Sequence, residues 1–222
     1  MAKNDSTILR MGLQIGFIVA AAGGVYCFVS AAQQDVRRTS CSAMCKLAPA
    51  YAGRDRTAPD FELPDMNGKP VKLSSFRGKT VFLNFWTKTC GPCLEEMPSL
   101  GELAKIVGSR SDMVLLTVST DEGPDDVRDT LKVALGSEPT FPVLFDPDGK
   151  IVREKYGTKL FPETWIIDPQ GVVRARFDGA RDWSTAISIE IGNMVQKGSG
   201  CPVEFAKGRP EGQFAGLCDD ES

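Results

Sequence analysis

Val81-Phe-Leu-Asn-Phe-Trp-Thr-Lys-Thr-Cys90-Gly-Pro-Cys93-Leu-Glu-Glu-Met-Pro98 is the stretch whose pattern decides the fold. Residues 81–86 are β-branched, apolar or aromatic almost without break, which predicts a buried strand. Beyond the cysteine pair, Leu94, Met97, Leu100 and Leu103 recur on nearby turns, which predicts a helix. Cys90-x-x-Cys93 therefore falls where a strand hands over to a helix. A sulfur at a helix start faces unpaired backbone N–H groups and the positive end of the helix dipole, and both favour the thiolate. Lys88 adds positive charge two residues earlier, and Pro92 suits a first helical turn because its missing N–H costs nothing there. Three residues of advance bring Cys93 back beneath Cys90. The expectation is that Cys90 attacks a partner disulfide and Cys93 resolves the mixed disulfide.

Other uses of the pair are weaker. Half a zinc knuckle needs a second half, and the chain has no further CxxC and no histidine. Glu96 follows Cys93 by three residues and shares its face. On spacing alone it is either a carboxyl that tunes or relays the proton of the thiol pair or a solvated glutamate like Glu95. Pro98 falls inside the helical pattern and is expected to kink it. Pro162, in Leu160-Phe-Pro-Glu-Thr164, is either a turn proline or a cis proline facing the cysteines.

Outward from this stretch the punctuation is regular. Phe61-Glu-Leu63 and Val71-Lys-Leu73 flank Asn67-Gly68, a hairpin signal. Met113–Val118 reads as a parallel neighbour strand, and Asp125–Leu135 as a helix after Gly123-Pro124. Pro142–Phe145 is a short strand closed by Asp146-Pro-Asp-Gly149. Thr164–Ile167 and Val172–Phe177 form a second hairpin. Trp183–Val195 is a closing helix with Trp183, Ile187, Ile191 and Met194 on one face. Strands and helices alternate and then end in a hairpin and a helix, which is an α/β mixed sheet covered by helices.

Composition bounds the function. The 222 residues are 42% apolar and 25% charged, as in globular proteins. With 26 basic against 29 acidic residues there is no basic excess for a nucleic-acid partner. The absence of histidine removes Cys-His and Ser-His pairs, His-ligated zinc and His-ligated haem, and no cofactor is expected. Met11–Gln34 carries no charge, and its most apolar part, about Leu13 to Ala32, matches the ~20 residues that cross a bilayer. The reading is a 1–10 cytoplasmic leader, an 11–32 transmembrane anchor with the N-terminus inside, a 33–56 juxtamembrane linker, a 57–197 domain outside the cytoplasm and a 198–222 tail. A cleaved signal ending near Val29-Ser-Ala31 is the alternative; both put the domain in the periplasm or cell exterior. Seven cysteines fit an oxidising compartment. Cys41, Cys45, Cys201 and Cys218 are read as structural disulfides of unassigned pairing. The alternatives are an electron relay and a Cu(I) site of Cys41, Met44 and Cys45; Cys41 and Cys45 would share one face if helical. Cys27 stands alone in the apolar run.

Taken together, Ala58-Pro-Asp-Phe-Glu-Leu63, Gly68–Gly78, Val81–Trp86, Cys90–Pro98 and Phe161-Pro-Glu-Thr-Trp-Ile-Ile-Asp168 resemble the TlpA/ResA group of thioredoxin-like proteins within the redoxin (AhpC-TSA) superfamily. The resemblance spans about residues 57–197. It implies a thioredoxin fold with an added N-terminal β-hairpin and an inserted helix, tethered to the cytoplasmic membrane. It implies reduction of specific client disulfides, in cytochrome c maturation or metal-site assembly, with recharging by a membrane electron donor of the thiol-reductant type. By matching positions, Cys90 is the nucleophile, Cys93 the resolving thiol, Glu96 the buried carboxylate and Pro162 the cis proline. The group usually has tryptophan directly before the first cysteine, and Thr89 stands there instead. Two competing functions are a peroxide-reducing redoxin and a Cu(I) metallochaperone. The first lacks the Pro-x-x-x-Thr-x-x-Cys pattern, with only Thr87 in place, and the second lacks the histidine its class uses.

Overall fold

A computed structural model describes residues 14–16, 18–29, 43–44, 57–197, 204–206 and 209–211. The chain divides into two units, Met1–Ser40 and Cys41–Ser222. In the first, residues 14–16 and 18–29 are helical and exposed. Among the described residues no helix is long and apolar enough to cross a membrane; residues 11–13, 17 and 30–32 of the anchor expected over 11–32 lie outside the described residues.

The second unit is built on the strand singled out above. Strand β4 (Thr80–Trp86) has all seven residues buried, because it has a partner on each edge and cover on each face. It pairs in parallel with β5 (Met113–Ser119) and antiparallel with β7 (Glu163–Ile167). The sheet continues through β6 (Val143–Phe145), parallel to β5, and through β8 (Val173–Asp178), antiparallel to β7. The two-residue β1 (Ala43–Met44) lies parallel to β8, giving the order β1-β8-β7-β4-β5-β6. The helical option for the Cys41–Cys45 segment is thus overturned at Ala43 and Met44, whose backbones extend the sheet edge.

Alternation along β4 sends side chains to two cores. Phe82 and Trp86 meet α1 (Gly91–Gly108), α2 (Pro124–Leu135) and α3 (Ala186–Lys197) through Met97, Leu100, Leu103, Val127, Leu131, Ile191 and Val195. Val81, Leu83 and Phe85 meet Phe61, Leu63, Ile151, Val152, Tyr156 and Trp165 on the other face. There the cover is the hairpin of β2 (Glu62–Pro64) and β3 (Pro70–Lys72), with the π-helical segment Lys150–Lys155. Gly68 turns the hairpin at φ 76°, a conformation glycine adopts freely. Helix α3 lies tight on the sheet at Gly192, where a Cβ would come within 3.0 Å of Phe82 and Met113.

Helix α1 runs unbroken through Pro98. Helix α3 corrects the sequence reading. It starts at Ala186, not Trp183, and its buried face is Ser188, Ile191, Gly192 and Val195, with Ile187 exposed. Trp183 is buried, but it is held outside the helix by side-chain partners on α1. In the tail, β9 (Glu204–Ala206) and β10 (Arg209–Glu211) pair antiparallel.

Candidate active site

The C-terminal end of β4 delivers the dithiol. After Trp86 the chain makes one turn, closed by the Cys90 N–H donating to the Thr87 carbonyl at 3.1 Å. Cys90 then occupies the N-cap of α1 in an extended conformation, and its sulfur accepts the Cys93 N–H at 3.1 Å. This is the cap geometry in which a side-chain acceptor satisfies one of the orphan donors of a helix start. Cys90 and Cys93 are disulfide-bonded, with 5.2 Å between their Cα atoms. Cys93 is fully buried, whereas Cys90 is half-buried and flanked by exposed Thr89, Gly91 and Pro92. One sulfur is open to approach and the other waits beneath it.

Glu96 sits one turn further along α1 and is 3% exposed. Its carboxylate takes three donors. Asn84 Nδ2 reaches Oε1 at 2.8 Å, while the Arg181 N–H and Trp183 Nε1 reach Oε2 at 3.2 and 3.1 Å. Burial pushes its pKa up from 4.5 to about 7, and the donors from Asn84, Arg181 and Trp183 hold it from rising further. An acid poised near neutrality beside a thiol pair can both give and take a proton at physiological pH. A cleft of about 490 Å³ reaches it, lined by Glu95, Glu96, Ser99, Glu102, Arg181 and Asp182 among others.

The peptide bond between Phe161 and Pro162 is cis. Glu163 opens β7 opposite Phe85, so Pro162 stands at the same end of the sheet from which β4 runs into the dithiol. Glu163 itself is 1% exposed and points to the other core, paired with Arg176, which also bonds Asp178. Burial pushes the Glu163 carboxyl up and the guanidinium beside it opposes the rise.

Residues 55–176, which contain the dithiol, Glu96 and the cis proline, match the AhpC/TSA family. The chain belongs to the AhpC/TSA family. Within it, the chain is 37% identical over 123 residues to the thiol-disulfide oxidoreductase ResA of Geobacillus thermodenitrificans, covering 55% of this chain and 68% of the relative. It is 30% identical over 173 residues to ResA of Bacillus subtilis, covering 78% of this chain and 85% of the relative. A thiol:disulfide interchange protein of Chlorobium tepidum has a crystal structure that superposes with a TM-score of 0.52 at 25% identity, over 65% of this chain and 98% of that one. The fold is thioredoxin-like, and this AhpC/TSA member is a thiol-disulfide oxidoreductase.

The structure brings together Cys90, Cys93 and Glu96 on α1, with Pro162 at the same end of the sheet. It adds residues to which the sequence reading gave no part in the site. Asn84 was visible as the one amide inside an apolar strand, a signal that it carries a buried bond. Trp183 and Arg176 carried no such signal, since their partners are 87 and 13 residues away. Cys27 is exposed and unpaired among the described residues. Cys41, Cys45, Cys201 and Cys218 lie outside the described residues, and with them the Cu(I) reading of Cys41, Met44 and Cys45, of which only the Met44 backbone is described. Among those described, no group of His, Cys, Asp and Glu could hold a metal ion.

Proposed function

We propose that the chain reduces disulfides in specific client proteins outside the cytoplasm, with Cys90 as nucleophile and Cys93 as resolving thiol. The observation that carries this reading is the sulfur pair at the start of α1, accessible at Cys90 and fully buried at Cys93. The Cys90 thiolate attacks one sulfur of a client disulfide. That S–S bond breaks, the other client sulfur leaves as a thiolate, and a Cys90–client disulfide forms. Cys93, deprotonated, then attacks the Cys90 sulfur. The client departs as a dithiol after protonation, and the two electrons it gained leave Cys90 and Cys93 joined. Glu96, three residues along the helix from Cys93, accepts the Cys93 proton and returns it to the departing sulfur. Pro162 bounds the face on which the client chain lies.

The tether and the compartment rest on the uncharged run Met11–Gln34 and on the cysteine usage. A membrane thiol reductant restores the dithiol, and the client class is that of cytochrome c maturation or metal-site assembly, as for the group the motifs resemble. The test is catalysis of insulin reduction by dithiothreitol. Acceleration that requires Cys90 supports the reading. Peroxide consumption without insulin reduction would favour a peroxide-reducing redoxin, and stoichiometric Cu(I) binding without turnover a metallochaperone.

A further inference from the structure

One carboxylate ties down the turn that presents Cys90. Asp121 lies just beyond the end of β5. Its Oδ1 accepts the Thr87 hydroxyl at 2.9 Å, and its Oδ2 accepts the Lys88 backbone N–H at 2.8 Å and the Ser119 hydroxyl at 2.7 Å. The Asp121 N–H donates back to Ser119 Oγ at 3.0 Å, and Ser119 is fully buried at the end of β5. The Thr120 N–H donates to the Trp86 carbonyl at 3.2 Å, and Lys88 Nζ reaches Asp126, in the first turn of α2, at 2.9 Å. Thr87 and Lys88 belong neither to β4, which ends at Trp86, nor to α1, which begins at Gly91. No ladder bond fixes them. Their place is set from the neighbouring β5–α2 connection, chiefly by Asp121.

We propose that Asp121 is a positioning residue for the exchange reaction, holding Cys90 at the helix start through Thr87 and Lys88. This rests on the reading of Cys90 as nucleophile. Two bonds to one carboxylate, itself anchored by the Ser119 hydroxyl, immobilise Thr87 and Lys88 ahead of the cap, and the Cys93 N–H to Cys90 Sγ bond needs that cap in register. Misplacing a reacting group by even about 1 Å can cost up to about a hundredfold in rate. Loss of part of this clamp is expected to cost about tenfold. A purely electrostatic role has the opposite sign, because removing a negative charge near a thiolate would favour the thiolate.

The experiment measures the rate at which iodoacetamide alkylates Cys90 in the reduced full-length chain at pH 7, read on the Cys90 peptide by mass spectrometry. The chains compared are wild type, Asp121→Ala, Asp121→Asn, Thr87→Val and Thr87→Ser. The proposal expects Asp121→Ala and Thr87→Val each to slow alkylation about tenfold. It expects Thr87→Ser, which keeps the hydroxyl, to stay within about twofold of wild type, and the double variant Asp121→Ala/Thr87→Val to be no slower than either single one. Asp121→Asn keeps one acceptor oxygen and falls between. Equal acceleration in Asp121→Ala and Asp121→Asn, or a wild-type rate in Thr87→Val, overturns it. Should Asp121→Ala fail to fold, the Thr87 pair decides by itself. A wild-type Cys90 no faster than free glutathione would instead sink the nucleophile assignment beneath it.

Discussion

Glu96 makes the stability of this protein depend on pH in a direction opposite to that of most carboxylates. Its pKa in the folded chain is about 7 against an ordinary 4.5. Between those values the folded state holds a proton that the unfolded state has released. Stability is therefore fully present below about 4.5, falls as pH rises, and levels off above about 7. The interval of 7 minus 4.5 is 2.5 units, and at 1.36 kcal/mol per unit the loss is about 3 kcal/mol. The perturbation is Glu96→Gln, which is isosteric and does not titrate. Its carbonyl oxygen can keep the Arg181 and Trp183 donors. Asn84, whose Oδ1 has no hydrogen-bond partner, can turn its amide to accept from the new NH₂. The assay is urea unfolding of both oxidised full-length chains from pH 4.5 to 8. Every other titrating group cancels in the difference. The variant is expected to gain about 3 kcal/mol on wild type across that range. A difference that stays flat, or that moves the other way, would refute the burial argument for Glu96.

Other consequences follow from the same geometry. Trp183→Phe keeps a ring against Phe82 and Phe177 but removes the indole donor to Glu96. A hydrogen bond to a charged group is worth about 1.5–3 kcal/mol, so the Glu96 titration, followed by its carboxyl infrared band, is expected to move up by about one to two pH units. Arg176→Ala leaves the Glu163 carboxyl buried without its cation and is expected to cost about 3–5 kcal/mol in urea unfolding; a loss below about 1 kcal/mol would contradict the pairing.

The sheet was legible in the sequence because its signals are local. Val81–Trp86, Met113–Val118 and the Asn67-Gly68 and Asp168–Gly171 turns each carry their own pattern, and each element lies within a residue or two of its expected place. The dithiol was legible for the same reason, since strand, cysteine pair and helix adjoin. Spacing alone left Glu96 and Pro162 open; the resemblance to a family sharpened both, and burial and the cis bond are structural observations. What stayed hidden depends on long-range contact. Helical periodicity ran through Trp183, but its indole bond to Glu96 and its backbone bond to Ser99 hold it in the preceding turn. The π-helical Lys150–Lys155 segment carries no motif; the buried Asp146 carboxylate caps it by accepting the N–H groups of Ile151 and Val152. Asp121 looks like any loop aspartate until the β4–β5 pairing sets it beside Thr87.

The most direct measurement asks which sulfur a substrate protein meets first. Reduced Cys90→Ser and Cys93→Ser chains are each mixed with oxidised insulin, quenched with acid, and analysed by non-reducing electrophoresis and peptide mass spectrometry. The account requires a long-lived insulin adduct through Cys90 in Cys93→Ser and no adduct at the active site in Cys90→Ser. An adduct through Cys93, or equal adducts in the two variants, would contradict it.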